Sequence, residues 1–257
     1  MTILRRERRK VLFDRSRKNA ENARYADVHC HILSGVDDGS PDLATSLRML
    51  RIAEREGITD VILTPHYLPG RSRLTPEILR EKTAALQTEC AREGIPVRLY
   101  PGAELYYTDD ALELLAAHMI PTLNGTNRVL TEFTTHAQEA DLLNAVKQIT
   151  GLDLVPVIAH VERYESVAGH PDRVARLKEE GAEIQVNASS IEGTFGPVIR
   201  RQMEKLIRER LVDYIGTDAH NDTFRAPEMG KCAKRLMKIA GRAYTEEIML
   251  RNTESLL

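Results

Sequence analysis

From Tyr25 onward the chain alternates between two hydrophobic patterns. Stretches with apolar residues at helical spacing end in glycine, and a short continuous run of Val, Ile and Leu follows. Glu56-Gly57 precedes ITDVILT, Glu93-Gly94 precedes IPVRLY and Glu180-Gly181 precedes AEIQVN, while Thr150-Gly151 before LDLVPVIAH is a looser instance. Glycine accepts the left-handed conformation that ends a helix, so each of these marks a helix stop. In the first such helix Leu43, Leu47 and Leu50 fall at i, i+4 and i+7 and predict one apolar face. Pro41 suits its first turn and Ser40 its cap. Seven apolar runs read as strands: 26–30, 59–64, 96–100, 128–133, 153–159, 183–187 and 212–217. They are continuous rather than alternating, as parallel strands covered on both faces are. Helical or long connections separate them, which predicts right-handed βαβ units in one α/β domain. A closed barrel and an open doubly wound sheet both satisfy this order.

Composition narrows the class. Of 257 residues 42% are hydrophobic, enough for a core. No run approaches the roughly 18 apolar residues of a membrane span. Three cysteines, an odd number, argue against a disulfide framework and for a reducing, cytoplasmic setting. The net charge of −2 conceals an uneven distribution. Residues 1–25 hold nine basic residues against Glu7, Asp14 and Glu21, so this arm is +6 and the domain over 26–257 is −8. The arm lacks the apolar stretch of a signal peptide. Its plain reading is a solvated, partly helical tail; its sharper one is a contact for an acidic surface, lipid head groups or nucleic acid.

The chemistry lies at the ends of the runs. The first ends in Asp27-Val28-His29-Cys30-His31 and the second in Thr64-Pro65-His66. Glu104 follows the third, Glu132 closes the fourth and His160 the fifth, and the seventh ends in Thr217-Asp218-Ala219-His220. Only the sixth, ending at Asn187, brings no ionisable group. Six of seven runs thus deliver His, Asp or Glu to one rim, where α/β barrels carry their active sites. On a strand His29 and His31 point to one face and Cys30 to the other, and two converging imidazoles predict a metal ion. His118, His136 and His170 read as helix-end or loop residues without a ligand role.

The segments DVHCHILSGVDDGS (27–40), TPHY (64–67), GAELYY (102–107), EF (132–133), IAHVERY (158–164) and GTDAH (216–220) resemble the PHP (polymerase and histidinol phosphatase) superfamily. More narrowly, the chain resembles the manganese-dependent bacterial protein-tyrosine phosphatases of the CpsB/YwqE type, linked to capsule and exopolysaccharide production. The resemblance runs from about residue 26 to the C-terminus. It implies a single-domain distorted (β/α)7 barrel of PHP type holding three divalent metal ions, with the basic arm outside it. His29, His31, Glu104 and Asp218 would hold one ion, and Glu104 would bridge to a second bound by Glu132 and His160. Asp38, His66 and His220 would hold the third. Arg163 and Arg225 match the family's phosphate-contacting pair. Asp37 reads as a brace for the turn before Gly39, and Tyr67 stands where some members carry a second histidine.

The residues agree with that chemistry. Five neutral imidazoles and four carboxylates carry −4 and three divalent ions +6. The resulting +2, with two guanidiniums, suits a phosphate monoester dianion. A metal-activated hydroxide would attack phosphorus, with Arg163 and Arg225 neutralising its oxygens and His66 or Asp218 helping the leaving group. All-N/O ligands also admit iron, zinc or cobalt. A cysteine phosphatase needs an arginine six residues past the thiolate, whereas Val36, Pro96 and Lys238 stand six past Cys30, Cys90 and Cys232. The expected substrate, by resemblance, is the phosphotyrosine tail of a bacterial tyrosine autokinase. Rival readings are a histidinol phosphate or nucleotide phosphatase, an amidohydrolase, and a non-catalytic metal-binding partner of a kinase. An acidic 26–257 speaks against nucleic acid as a partner.

Overall fold

The computed structural model describes residues 24–257. The basic arm therefore lies outside the described residues except for Arg24 and Tyr25, and Tyr25 already opens the first strand. Nine parallel strand segments follow: β1 (Tyr25–Asp27), β2 (Ile58–Leu63), β3 (His66–Tyr67), β4 (Arg98–Pro101), β5 (Glu104–Tyr106), β6 (Arg128–Glu132), β7 (Val155–Ile158), β8 (Glu183–Asn187) and β9 (Tyr214–Gly216). Hydrogen bonding gives the orders β1-β2-β4 and β3-β5-β6-β7-β8-β9. The seven expected runs are recovered, but two of them are broken. Leu63 faces Pro101 and, three residues further along both chains, His66 faces Glu104 in the same register. β3 and β5 thus continue β2 and β4 past an interruption, and Pro65, which has no N–H to give a ladder, sits in one of the gaps.

The first run is also shorter than expected. β1 stops at Asp27 instead of reaching residue 30, yet Cys30 still bridges Ala219 in parallel beyond the end of β9. Asp218 N–H donates to His29 O at 2.7 Å and His31 N–H to Ala219 O at 2.8 Å. First and last runs meet, and the sheet closes on itself. Val28, Ile62, Leu130, Val157 and Tyr214, from five different runs, pack together with Leu123 and Leu256. Residues from so many strands share one cluster only inside a ring.

Outside the ring lie the helices α1 (Leu43–Glu56), α2 (Pro76–Glu93), α3 (Ala111–Ala116), α4 (Glu139–Thr150), α5 (Pro171–Glu179), α6 (Ala188–Glu192), α7 (Pro197–Arg208) and α8 (Gly230–Met249). Gly57 and Gly94 cap α1 and α2 in left-handed conformation as expected, whereas Gly151 stays right-handed (φ −62°). Two expectations for α1 fail. Its cap is Asp42, whose carboxylate accepts from Thr45 N–H at 2.8 Å, while Ser40 is buried and bonds Ser46. Its buried face is Ser46, Met49, Leu50 and Ala53, and Leu43 is 40% exposed. Burying Met49 and Leu50 stabilises the layer by roughly 2 kcal/mol each. Cys30, Cys90 and Cys232 are free, as their odd number suggested, and buried in the layer between strands and helices. Among the described residues no helix is long and apolar enough to cross a membrane.

Candidate metal centre

The C-terminal ends of the runs form one rim, but its key residues lie just past regular strand. His29 and His31 follow β1, and their segment is pinned on both sides. Cys30 N–H donates to Thr64 Oγ1 at 2.9 Å, and Thr64 N–H donates back to Cys30 O at 2.9 Å. A side chain at Gly216 would place its Cβ 2.6 Å from His29 Cβ, and one at Gly39 would place it 2.1 Å from His31 O. Only glycine allows these approaches, so backbone presses directly on both histidines. His160 and Asp218 adopt left-handed backbone (φ +31° and +53°). Such conformations cost about 1 kcal/mol or more in a residue with a side chain, and here both fall in the site.

Partners of the far ring nitrogens settle which way the histidines face the site. Gln185 Oε1 accepts the backbone N–H of His160 at 2.7 Å, which identifies it as the amide oxygen, and lies 3.1 Å from His29 Nδ1. His31 Nδ1 donates to Asp37 Oδ2 at 2.7 Å, and His220 Nδ1 to the carbonyl of Asp218 at 3.0 Å. Each Nδ1 therefore carries hydrogen, and in the neutral ring each Nε2 carries a lone pair. The Nε2 atoms of His29 and His31 are 3.3 Å apart, with Glu104 Oε1 3.2 Å from the first and Oε2 3.3 Å from the second. Glu104 Oε2 is buried without a well-formed hydrogen bond. Two lone pairs and a carboxylate meeting this closely repel unless a cation lies among them, so the donor set fits a divalent ion.

The charges around these groups point to the same need. Burial pulls the His31 imidazole down, but Asp37 and Glu104 outweigh it and push it up to about 10. His160 rises to about 9 against burial because of Glu104 and Glu132. Burial raises Glu104, yet His29, His160 and His31 together hold it well below the ordinary carboxylate range. Protons and metal ions compete for the same atoms here.

All nine expected ligands come together. Asp218 Oδ1 lies 3.8 Å from His29 Nε2 and 3.6 Å from His31 Nε2. His160 Nε2 is 3.0 Å from Glu104 and 3.4 Å from Glu132. Asp38 Oδ1 is 3.4 Å from His66 Nε2 and 3.6 Å from His220 Nε2, and these three with His31 form one candidate ion group. His66 stands between groups, since its Nδ1 is 2.9 Å from Glu104 and 3.7 Å from Glu132. The cluster opens outward from fully buried His29 and His31 to the Asp38 side chain, 67% exposed. Arg163, in the 3-10 turn Val161–Arg163, and Arg225 both reach Asp218, Arg225 Nη2 at 2.8 Å from Oδ1. Burial pushes the Asp218 carboxyl up, but His29 and Arg163 hold it far below the ordinary range.

Four residues beyond that set organise the site. Asp37 does brace its turn, accepting Gly39 N–H at 3.0 Å, but its other oxygen holds His31 and His66 N–H. Gln185 orients His29, Asn187 Nδ2 donates to Asp218 Oδ2 at 2.9 Å, and Glu162 accepts Asn187 N–H at 2.9 Å. The sixth run, without an ionisable group at its end, thus contributes positioning amides. Tyr67 is a buried core residue, and among the described residues His118, His136 and His170 join no candidate ion group.

Residues 25–257 match the family described as capsular polysaccharide synthesis, CpsB/CapC. Over 236 residues the chain is 30% identical to the tyrosine-protein phosphatase CpsB of Streptococcus agalactiae, spanning 90% of this chain and 97% of that one. It is 35% identical over 197 residues to the tyrosine-protein phosphatase YwqE of Bacillus subtilis, 76% and 77% of the two chains. A crystal structure from a study of YwqE from Bacillus subtilis and CpsB from Streptococcus pneumoniae, described as unique metal-dependent tyrosine phosphatases, matches with a TM-score of 0.81. That match has 31% identity and covers 88% of this chain and 94% of the other.

Proposed function

The chain belongs to the CpsB/CapC family of capsular polysaccharide synthesis, and we propose on that premise that it is a metal-dependent protein-tyrosine phosphatase. The observation that carries this reading is the convergence of the His29 and His31 Nε2 atoms on Glu104, with two guanidiniums at the open side. Three ions would be held by His29, His31, Glu104 and Asp218; by Glu104, Glu132 and His160; and by Asp38, His66 and His220. Manganese is our assignment, from the family resemblance, among the ions that an all-N/O set accepts. When bound, such ions supply Lewis acidity toward a phosphoryl group and lower the pKa of water toward neutrality.

The protein's own groups do the rest. Arg163 and Arg225 present N–H donors to the phosphoryl oxygens, and Asp218, shared by both, sets their position. With its oxygens engaged by arginine, Asp218 stays ionised and orients rather than donates. His66, whose side chain is 34% exposed at the mouth, is our candidate to assist the departing phenolate by hydrogen bonding through its Nδ1–H, its Nε2 being turned to Asp38 and the third ion position. A phenol pKa of about 10 makes that demand modest. We assign as substrate the phosphotyrosine tail of a bacterial tyrosine autokinase that controls capsule or exopolysaccharide synthesis. We place the reaction in the cytoplasm, and three buried free thiols favour that reducing setting. The test is phosphate release from a phosphotyrosyl peptide with Mn²⁺ and with chelator. Release that chelator abolishes and Mn²⁺ restores is the expected result; a fully metallated protein that releases nothing overturns the reading.

A further inference from the structure

A cavity of about 640 Å³ begins at Asp38 and His66 and is also lined by Arg71, Arg73 and Lys82. Its size is usual for a ligand pocket. Arg71 and Arg73 stand in the 68–75 connection and Lys82 on α2, while Leu74 and Ile78 give the groove an apolar wall. All three cations are exposed. Among the described residues none has a carboxylate within ion-pair distance, whereas Arg80 and Arg92 on the same helix pair with Glu77 and Glu89 at 2.8 Å. The acidic end of this groove is the metal centre itself, through Asp37 and Asp38. Its remaining length carries unbalanced positive charge on a protein whose described part is acidic overall.

We propose that this groove is a docking subsite for the peptide flanking the scissile phosphotyrosine, and that Arg71, Arg73 and Lys82 select anionic side chains there. The proposal rests on the tyrosine phosphatase reading and specifies its substrate. Carboxylate and phosphate share the required chemistry, so an acidic flank and a second, neighbouring phosphotyrosine both qualify. An extended segment entering the site at His66 would lie along the apolar wall with its charges beside the cations. Surface ion pairs of this kind act mainly on substrate capture and weaken with salt.

The test compares kcat/KM of the metallated full chain on phosphotyrosyl peptides differing only in flanks: glutamate, glutamine, lysine, or glutamine with a second phosphotyrosine. The glutamate and doubly phosphorylated peptides should lead the neutral one by roughly tenfold, about what three exposed ion pairs reach together. The advantage should sit in KM and shrink toward parity in roughly 0.5 M salt. In R71E/K82E the ranking should invert in favour of lysine flanks, and because each ratio is internal to one enzyme, a general loss of rate cancels. Equal rates on all flanks, or a variant that keeps the wild-type ranking, would overturn the groove while leaving the phosphatase reading intact. No turnover of any peptide by metallated protein would overturn both. An advantage confined to the doubly phosphorylated peptide assigns the groove to phosphate, and one shared with glutamate assigns it to negative charge at large.

Discussion

The two ends of this barrel use the same residue types to opposite effect. At the N-terminal ends of the strands three carboxylates, Asp60, Glu183 and Asp213, each have a permanent cation. Buried Asp60 accepts Arg98 Nε at 2.7 Å and Nη2 at 2.8 Å, with Tyr100 Oη at 3.1 Å. Glu183 takes Tyr214 Oη at 2.8 Å and faces Arg128 at 3.4 Å, and Asp213 takes Lys178 and the N–H of Ile184. At the other end Glu104 is ringed by imidazoles, and the two arginines there both go to Asp218. One end is complete as a folded chain; the other leaves a donor set that fits ions. Charge at a strand end is therefore neither stabilising nor functional in itself, and its counter-charges decide which.

Substitutions can break this contrast, beginning with the largest effect. Glu104→Gln should lower the phosphatase rate by on the order of 10³-fold or more and reduce bound metal, because that carboxylate faces two ion groups. Metal analysis showing full occupancy would contradict the assignment. Arg163→Ala should keep its metals and lose on the order of 10²-fold in rate, as removal of a transition-state donor does. Unchanged kinetics would take Arg163 out of the site. Asp37→Asn should weaken metal affinity by about 10–100-fold through loosened His31, with Mn²⁺ titration as the measurement. An affinity equal to wild type would return Asp37 to a purely structural turn.

The smallest effect belongs to the opposite end. Burial pushes the Asp60 carboxyl up, but Arg98, Thr59 and Tyr100 outweigh it and hold it below its ordinary value. An unfolded aspartate titrates near 3.9, so the ion pair's stabilisation is present above about that pH and is lost as pH falls through the folded value. Asp60→Asn should melt about 2–4 °C lower at neutral pH, the shift of roughly 1 kcal/mol in a chain of this size. The gap should close in strong acid and the rate should not change. Melting curves at both pH values check this, and a lost rate would mean the two ends are coupled.

The proposed ligands were legible as a cluster because such chemistry demands rare residue types at a fixed place, the end of an apolar run. His29, His31, His66, Glu104, Glu132, His160, Asp218 and His220 all follow that rule. Asp37, Gln185 and Asn187 obey no such rule. Gln185 works across a long separation, 156 residues from His29, Asp37 sits in a turn six residues from His31, and aspartate or amide side chains occur everywhere. A faint sign existed in AEIQVN, where Gln185 is a polar residue between the apolar Ile184 and Val186 and is fully buried. The helix stops at Gly57 and Gly94 were legible from local backbone preference. The start of α1 was not, because Ser40 and Asp42 are both good caps and the burial of Ser40 against Ser46 decides between them. The broken strands escaped for a similar reason: apolar runs carry no mark of where a ladder pauses, and Pro65 matters only once its neighbours are known.

The closure of the first run on the last has a consequence for how the protein is made. His29 and His31 lie on one side of that seam and Asp218 and His220 on the other, and Thr217 bonds Asp27 across 190 residues. Bringing so distant a pair together is slow and gains nothing until both partners exist. Residues as late as Asp218 must therefore be made before the first proposed ion group can assemble. A chain cut short before residue 214 has an open ring and lacks the proposed ligands Asp218 and His220. The proposed centre then assembles only after the chain has been made past His220, late in synthesis rather than alongside the first strands.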